Sequence, residues 1–241
     1  MKQVSLTVTE NLPLTGSVYR MRLAGDAGAL RPGQFVNIAI DGLFLRRPIS
    51  VCDHDGGVLT IIYKLVGRGT EAMSRMAPGE KLDVLTELGN GYDLSLAGDS
   101  PLLIGGGVGV PPLYYLARSL AARGKTPSVI LGFNTADEVF YEDEFRALGC
   151  KVTVTTADGT YGVRGFVTAA MPDSASYFYA CGPEPMLKAV CRAADYPGEL
   201  SFEERMGCGF GACMGCSCRT ITGSKRICRE GPVLKKEEVL W

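Results

Sequence analysis

The sequence predicts an N-terminal antiparallel β-barrel, a parallel α/β sheet after it, and a small cysteine-bearing module at the C-terminus. Three observations carry that reading. Before Leu96 the apolar residues recur with a period of two in short strings broken by glycine turns. From Pro101 onward, apolar strings alternate with helical ones. Five of the nine cysteines fall between Cys208 and Cys228.

The barrel strands read in order as Val4 to Thr9, Val18 to Leu23, Phe35 to Ile40 and Leu59 to Tyr63. Pro-Gly, Asp-Gly and Gly-Gly turns separate them, and many short strands at regular spacing close into a barrel or sandwich. One helix, Thr70 to Met76, interrupts them and stops at Pro78-Gly79. The sheet opens with Leu102-Leu103-Ile104, followed by a glycine loop and a helix over Leu113 to Arg123. Next come the strand Ser128 to Phe133, a helix from Glu142 to Leu148, the strand Val152 to Thr155, and a short segment from Gly165 to Ala170. The strand Tyr177 to Ala180 and a helix starting near Pro185 complete it. Strand–helix alternation of this kind makes a doubly wound sheet. The expected units are residues 1–97, 98–200 and 201–241, the last glycine- and cysteine-rich with little periodicity.

Bulk composition excludes several classes. The formal net charge is −1 with no basic run, which argues against nucleic acid or anionic lipid as a partner. No stretch has the apolar length of a membrane helix, and the N-terminus lacks the apolar core of a signal peptide. An odd cysteine count, clustered at one end, suggests ligation in a reducing compartment rather than a disulfide scaffold. The cytoplasm is the expected location.

Cys208, Cys213, Cys216 and Cys228 give the spacing Cys-x4-Cys-x2-Cys-x11-Cys. The first three match the plant-type spacing of a [2Fe–2S] centre. Two bridged irons need four thiolates arriving from two directions, three from a tight loop and one from a returning strand. Glycines 207, 209, 211 and 215 let backbone amides approach the sulfurs. The alternative is structural zinc on four cysteines, but zinc ribbons carry two C-x2-C knuckles and this chain has one. Cys218 is a fifth thiol that the count does not require. Cys52, Cys150 and Cys191 read as buried small side chains.

Three further strings carry candidate ligand chemistry. In Arg46-Arg47-Pro48-Ile49-Ser50, Arg47 can pair with a diphosphate and Ser50 can offer its hydroxyl to a flavin N5 edge. Ile62, Tyr63 and Lys64 can bond the pyrimidine edge of a flavin through their backbone. Gly67-Arg68-Gly69-Thr70 opens the barrel's helix as an anion site. Gly105-Gly106-Gly107-Val108-Gly109 lies between a strand and a helix, the context in which a glycine loop holds a dinucleotide phosphate. Cys181-Gly182-Pro183 stands at the carboxyl end of a strand, where open α/β sheets bind ligands. Cys181 reads equally as a nicotinamide contact or a buried thiol. The only histidine, His54, lies in an Asp/Gly-rich turn and has no expected role.

The order of these parts is similar to the ferredoxin–NADP reductase superfamily with an added iron–sulfur module. Leu45 to Ser50, Gly89-Asn90-Gly91, Glu203 to Cys213 and Cys228 to Val233 narrow the resemblance to dihydroorotate dehydrogenase B electron-transfer subunits. It covers nearly the whole chain. The resemblance implies FAD contacts at Arg47, Pro48, Ile49, Ser50, Ile62, Tyr63, Lys64, Gly69 and Thr70, and cluster ligands Cys208, Cys213, Cys216 and Cys228. It implies an FMN-containing catalytic subunit as partner, two copies of each, with electrons crossing cluster and FAD to NAD⁺ in pyrimidine biosynthesis. Where the superfamily usually places an aromatic, this chain has Pro48-Ile49, with Tyr63 as a substitute for stacking on the flavin. Asn134 to Glu138, after the second sheet strand, lacks an arginine for a 2′-phosphate, which favours NAD over NADP.

Two rivals stand beside this. One is a related reductase subunit serving a ferredoxin or sulfur-reducing partner, whose cluster would use an aspartate ligand. The other is a zinc-stabilised nucleotide sensor without enzymatic activity.

Overall fold

The computed structural model describes residues 1–241. Six strands close the barrel: β1 (Lys2–Pro13), β2 (Val18–Ala24), β3 (Phe35–Ile38), β4 (Arg47–Asp55), β5 (Val58–Lys64) and β6 (Lys81–Leu88). Their order is β1-β2-β5-β4-β3-β6, all antiparallel. Alternation sorts their side chains by face. On β5, Ile61 and Tyr63 point into the barrel core, while Ile62 faces a second core shared with the neighbouring sheet. Helix α1 (Arg68–Ser74) follows β5 and begins two residues before the predicted start.

The sheet runs β10-β9-β8-β7-β11-β12-β15. Its members are β7 (Pro101–Gly106), β8 (Ser128–Phe133), β9 (Lys151–Thr156), β10 (Val163–Arg164), β11 (Tyr177–Cys181), β12 (Gly198–Ser201) and β15 (Val233–Lys235). All pairs are parallel except β12–β15. The central strand β7 is buried throughout, as expected for a strand covered on both faces.

Helix α2 (Pro111–Ala121) starts earlier than its periodicity suggests, because Pro111 and Pro112 occupy the first turn, where a missing N–H costs nothing. Its Leu113, Leu116, Ala117 and Leu120 form one buried stripe against the sheet. Each buried leucine there is worth about 1.5–3 kcal/mol. On its other side, Arg118 pairs with Asp53 at 2.8 Å and donates to the His54 carbonyl at 2.7 Å. The Tyr115 hydroxyl donates to the Leu30 carbonyl at 3.0 Å. These bonds fix the barrel against the sheet. His54 therefore sits on β4, half-buried, rather than in a turn. Helices α3 (Glu142–Ala147) and α4 (Glu184–Ala193) complete the layers.

The C-terminal module holds a hairpin, β13 (Ser217–Thr220) with β14 (Gly223–Arg226). It is stitched into both preceding parts, which its weak periodicity did not suggest. β15 adds an antiparallel edge to the sheet, pairing Leu234 with Leu200. Asn90, just past β6, donates to the carbonyls of Glu230 and Val233 at 3.2 and 2.7 Å and accepts from the Val233 N–H at 3.1 Å. Phe35, Leu85 and Leu88 of the barrel pack with Cys216, Ile227, Cys228 and Leu234 in one small core.

Candidate functional site

Two clefts open where barrel, sheet and module meet. The first is lined by Phe35, Pro48, Ile49, Ser50, Tyr63 and Thr70 from the barrel, and by Phe202, Glu204, Met206 and Pro232 from the module. The second, of about 490 Å³, runs along the carboxyl ends of the sheet strands past Gly106, Gly107, Asn134, Thr155, Phe166 and Met186. Lys64, Val108 and Glu203 line both, so the clefts share a junction. A site outside the carboxyl edge of an open sheet is where α/β folds bind dinucleotides.

The two consecutive arginines part at the start of β4, Arg46 lying one residue before the strand and Arg47 opening it. Arg46 turns outward, pairing with Asp83 at 2.7 Å and donating to the Asn37 carbonyl at 3.3 Å. Arg47 turns the other way and lies across Gly69, where any Cβ would collide with its guanidinium. Gly69 is thus a glycine because of close approach. Thr70 accepts from the Val66 N–H at 2.9 Å and donates to the Gly67 carbonyl at 3.0 Å, so its hydroxyl is engaged within its own turn. Tyr63 corrects an expectation. Its ring stacks on Tyr19 at 5.9 Å and its hydroxyl donates to Asn11 at 2.9 Å, which holds the side chain in the barrel. It cannot replace the missing aromatic on a flavin face.

The glycine loop divides into two roles. Gly105 packs under Val110 and Leu113, and Gly109 lies against the Cys181 carbonyl with no room for a Cβ. Gly106 and Gly107 line the sheet cleft, with Gly107 at φ 52°. Pro183 lines it too, while Gly182 backs onto Met186. The Cys181 side chain is 2% exposed and lines neither cleft. Burial pushes its thiol far up, and Ser201 and Tyr92 are its neighbours. Of its two readings, the buried thiol is the one the packing gives.

The cysteine loop follows. Gly209 and Gly211 have φ of 79° and 93°. A Cβ at Gly209 would meet the Asn37 side chain, and one at Gly211 the Arg229 stem. The Cys208 sulfur accepts from the N–H groups of Ala212 and Cys213 at 3.2 and 3.5 Å. Burial raises that thiol, but these amides and the Cys213 side chain outweigh it and bring it down to about 6. Cys216 and Cys228 are 2% exposed and adjoin one another, the Cys228 N–H pointing at the Cys216 sulfur at 3.4 Å. Burial and the Cys216 thiol push Cys228 up to about 12. The thiols thus fall into two pairs, Cys208 with Cys213 and Cys216 with Cys228. No three His, Cys, Asp or Glu side chains converge on one ion. Two pairs fit a centre of two irons, each needing two thiolates, better than one tetrahedral zinc. Cys218 stands half-buried on β13, beside Glu204 and outside both pairs.

Phe202, Glu203, Met206, Phe166 and Met186 line the clefts with no signal in the sequence that marks them. Asn134 and Glu138, from the segment after β8 weighed for a 2′-phosphate, do line the sheet cleft. Glu203 lies in the cleft junction, where crowding by protein atoms raises its carboxyl although solvent still reaches it. Nothing in its Glu-Glu string marks that position.

Comparison with known proteins agrees with this geometry. Residues 203–240 match the iron-sulfur cluster binding domain of dihydroorotate dehydrogenase B, and residues 103–192 match the oxidoreductase NAD-binding domain. The chain is 44% identical to a dihydroorotate dehydrogenase B (NAD(+)) electron transfer subunit from Geobacillus sp. (strain WCH70), over 100% of this chain and 99% of the relative. The subunit of that name from Fusobacterium nucleatum is also 44% identical, over 99% of each. Among solved structures, an NADH-dependent reduced ferredoxin–NADP oxidoreductase superposes with a TM-score of 0.89 at 30% identity, covering 98% of this chain and 90% of that one. A cytochrome P450 reductase from Amycolatopsis shares the fold at a TM-score of 0.69, 23% identity, and coverage of 80% and 65%. Antiparallel barrel, parallel sheet and cysteine module are therefore the parts of a known assembly, and the chain belongs to the family of dihydroorotate dehydrogenase B electron transfer subunits.

Proposed function

We propose that this chain carries electrons from the FMN of a dihydroorotate-oxidising catalytic subunit, through a [2Fe–2S] cluster and FAD, to NAD⁺. The observation that carries the reading is the shared junction of the two clefts, the first of which takes Phe35 and Met206 from the small core that holds Cys216 and Cys228. Nicotinamide exchanges hydride, flavin takes one or two electrons, and the cluster takes one, so the three together convert between two-electron and one-electron chemistry.

The chain's residues have binding and screening roles. Arg47, backed by Gly69, presents its guanidinium to the FAD diphosphate, and Pro48, Ile49 and Ser50 border the flavin ring. The backbone of Ile62, Tyr63 and Lys64 meets its pyrimidine edge. Gly106 and Gly107 let the NAD pyrophosphate approach the backbone, and Pro183 and Met186 wall the nicotinamide end. Cys208, Cys213, Cys216 and Cys228 hold the cluster. Gly105, Gly109, Gly182 and Cys181 shape the loop from behind. We assign residues 1–97 to FAD, 98–200 to NAD and 201–241 to the cluster.

The catalytic subunit docks on the cluster face, in a complex of two copies of each chain. Phe210 and Met214, 42% and 55% exposed, support this, as does Phe44 at 99% on the β3–β4 turn. That turn is tied through Arg46 to Asn37, whose amide reaches the Cys208 carbonyl at 3.4 Å. Apolar side chains around a redox centre exclude water when a partner closes over them. No helix is long and apolar enough to cross a membrane, and the cysteine chemistry suits the cytoplasm.

The test is an absorbance spectrum of the purified chain with iron, sulfide and flavin analysis. Flavin and iron–sulfur bands, with iron and sulfide equal and each about twice the FAD, are expected from this cofactor set. A colourless zinc protein would contradict the reading.

A further inference from the structure

One side chain bridges the two segments that carry the cysteine pairs. Arg226 ends β14, two residues before Cys228. Its Nη1 donates to the Gly211 carbonyl at 2.8 Å, within the Cys208–Cys213 loop. Its Nε donates to Glu230 Oε2 at 3.0 Å and its Nη2 to Oε1, a bidentate pair. Glu230 is itself anchored twice to Arg226. Its carboxylate accepts from the Arg226 N–H at 2.6 Å, and its own N–H donates to the Arg226 carbonyl at 2.8 Å. The guanidinium is 23% exposed.

An ordinary surface ion pair four residues apart contributes little and does not organise its surroundings. This pair differs in three respects: the fork is bidentate, both partners are locked to backbone, and the guanidinium reaches across to the ligand loop. Bidentate arginine geometry supplies direction as well as charge.

We propose that Arg226 and Glu230 form a positioning pair that sets the potential of the iron–sulfur centre. Arg226 clamps the first cysteine pair to the second and lends positive charge, while Glu230 fixes Arg226 and partly offsets that charge. The proposal rests on the ligand assignment above. Reduction adds one electron to the centre and no proton. A nearby positive charge therefore favours the reduced form and a negative one disfavours it, and hydrogen bonds and charge around the sulfurs are known levers on such potentials.

The experiment is a redox titration of the full chain, followed by the electron paramagnetic resonance signal of the reduced centre, with iron content measured alongside. Arg226→Gln should lower the reduced-to-oxidised ratio at a fixed potential about three- to tenfold, or about 30–60 mV for one electron. Glu230→Gln, which leaves the Gly211 bond in place, should shift the ratio the opposite way. Arg226→Lys keeps the charge and should stay nearer the wild type than Arg226→Gln. Opposite signs from the two partners support the proposal, since mere loosening would move both the same way. Unchanged potentials, or shifts of one sign, would overturn it. If Arg226→Gln loses its iron, the Glu230→Gln shift alone decides: a raised potential supports the pair, and an unchanged or lowered one sinks it. A wild-type chain without iron would instead bring down the ligand assignment itself.

Discussion

Neighbouring residues of one chemical type have different fates here. Arg46, one residue before β4, is held by Asp83 on the outer barrel wall, and Arg47, the first residue of β4, is laid over Gly69. Arg47→Ala should therefore release FAD readily, measured as flavin retained per chain after gel filtration, while Arg46→Ala keeps most of it. Equal loss from both would contradict the placement. The cysteines divide similarly. Replacing Cys208, Cys213, Cys216 or Cys228 with serine should each abolish stable cluster assembly, whereas Cys218→Ser should keep nearly normal iron. Normal iron in Cys228→Ser with loss in Cys218→Ser would reverse the assignment. The spacing of the four proposed ligands is readable in the sequence, because cluster chemistry would impose it. The fate of Cys181 was not, because only packing decides whether a thiol faces a cleft or a core.

At the scale of elements, the edge pairing of β12 with β15 has a measurable cost. Glu199 on β12 is 5% exposed and accepts from the Asp93 N–H at 3.0 Å. Burial raises its carboxyl to about 7 despite that bond. A carboxyl whose folded pKa exceeds its unfolded value of about 4.3 holds its proton more tightly when folded. Its favourable contribution is complete below the unfolded pKa and disappears as pH rises through about 7. The loss is roughly 3–4 kcal/mol at 1.36 kcal/mol per unit. Glu199→Gln should therefore flatten the decline of denaturation midpoint between pH 5 and pH 8, windows set by those values. An unchanged pH profile would show that Glu199 titrates as an ordinary carboxylate. Four of the six barrel strands and the strand–helix alternation were legible because each has its own apolar period, whereas β4 and β6 were not read as strands. β15 was not: three residues carry no period, and their partner lies more than thirty positions away in β12. The first turn of α2 was hidden for another reason, since prolines read as breakers until their position at a helix start is known.

At the scale of the molecule, function depends on surfaces that no single segment builds. The junction of the clefts takes Lys64 from the barrel, Val108 from the sheet loop and Glu203 from the start of the module. Sequence reasoning found the segments but not Glu203, because tertiary packing alone brings it there. The proposed docking face likewise combines Phe44 with Phe210 and Met214. Phe210→Asp with Met214→Asp should weaken the complex with the catalytic subunit at least tenfold, about 1.4 kcal/mol, while NADH-dependent dye reduction by the chain persists. Loss of dye reduction in step with complex formation would place those residues in the flavin site instead. The most direct test of the whole account is dihydroorotate-dependent reduction of NAD⁺ by purified components. NADH should form only when this chain and the FMN-containing catalytic subunit are mixed, and none should form from this chain alone. Dihydroorotate oxidation with NAD⁺ by the isolated chain would contradict it.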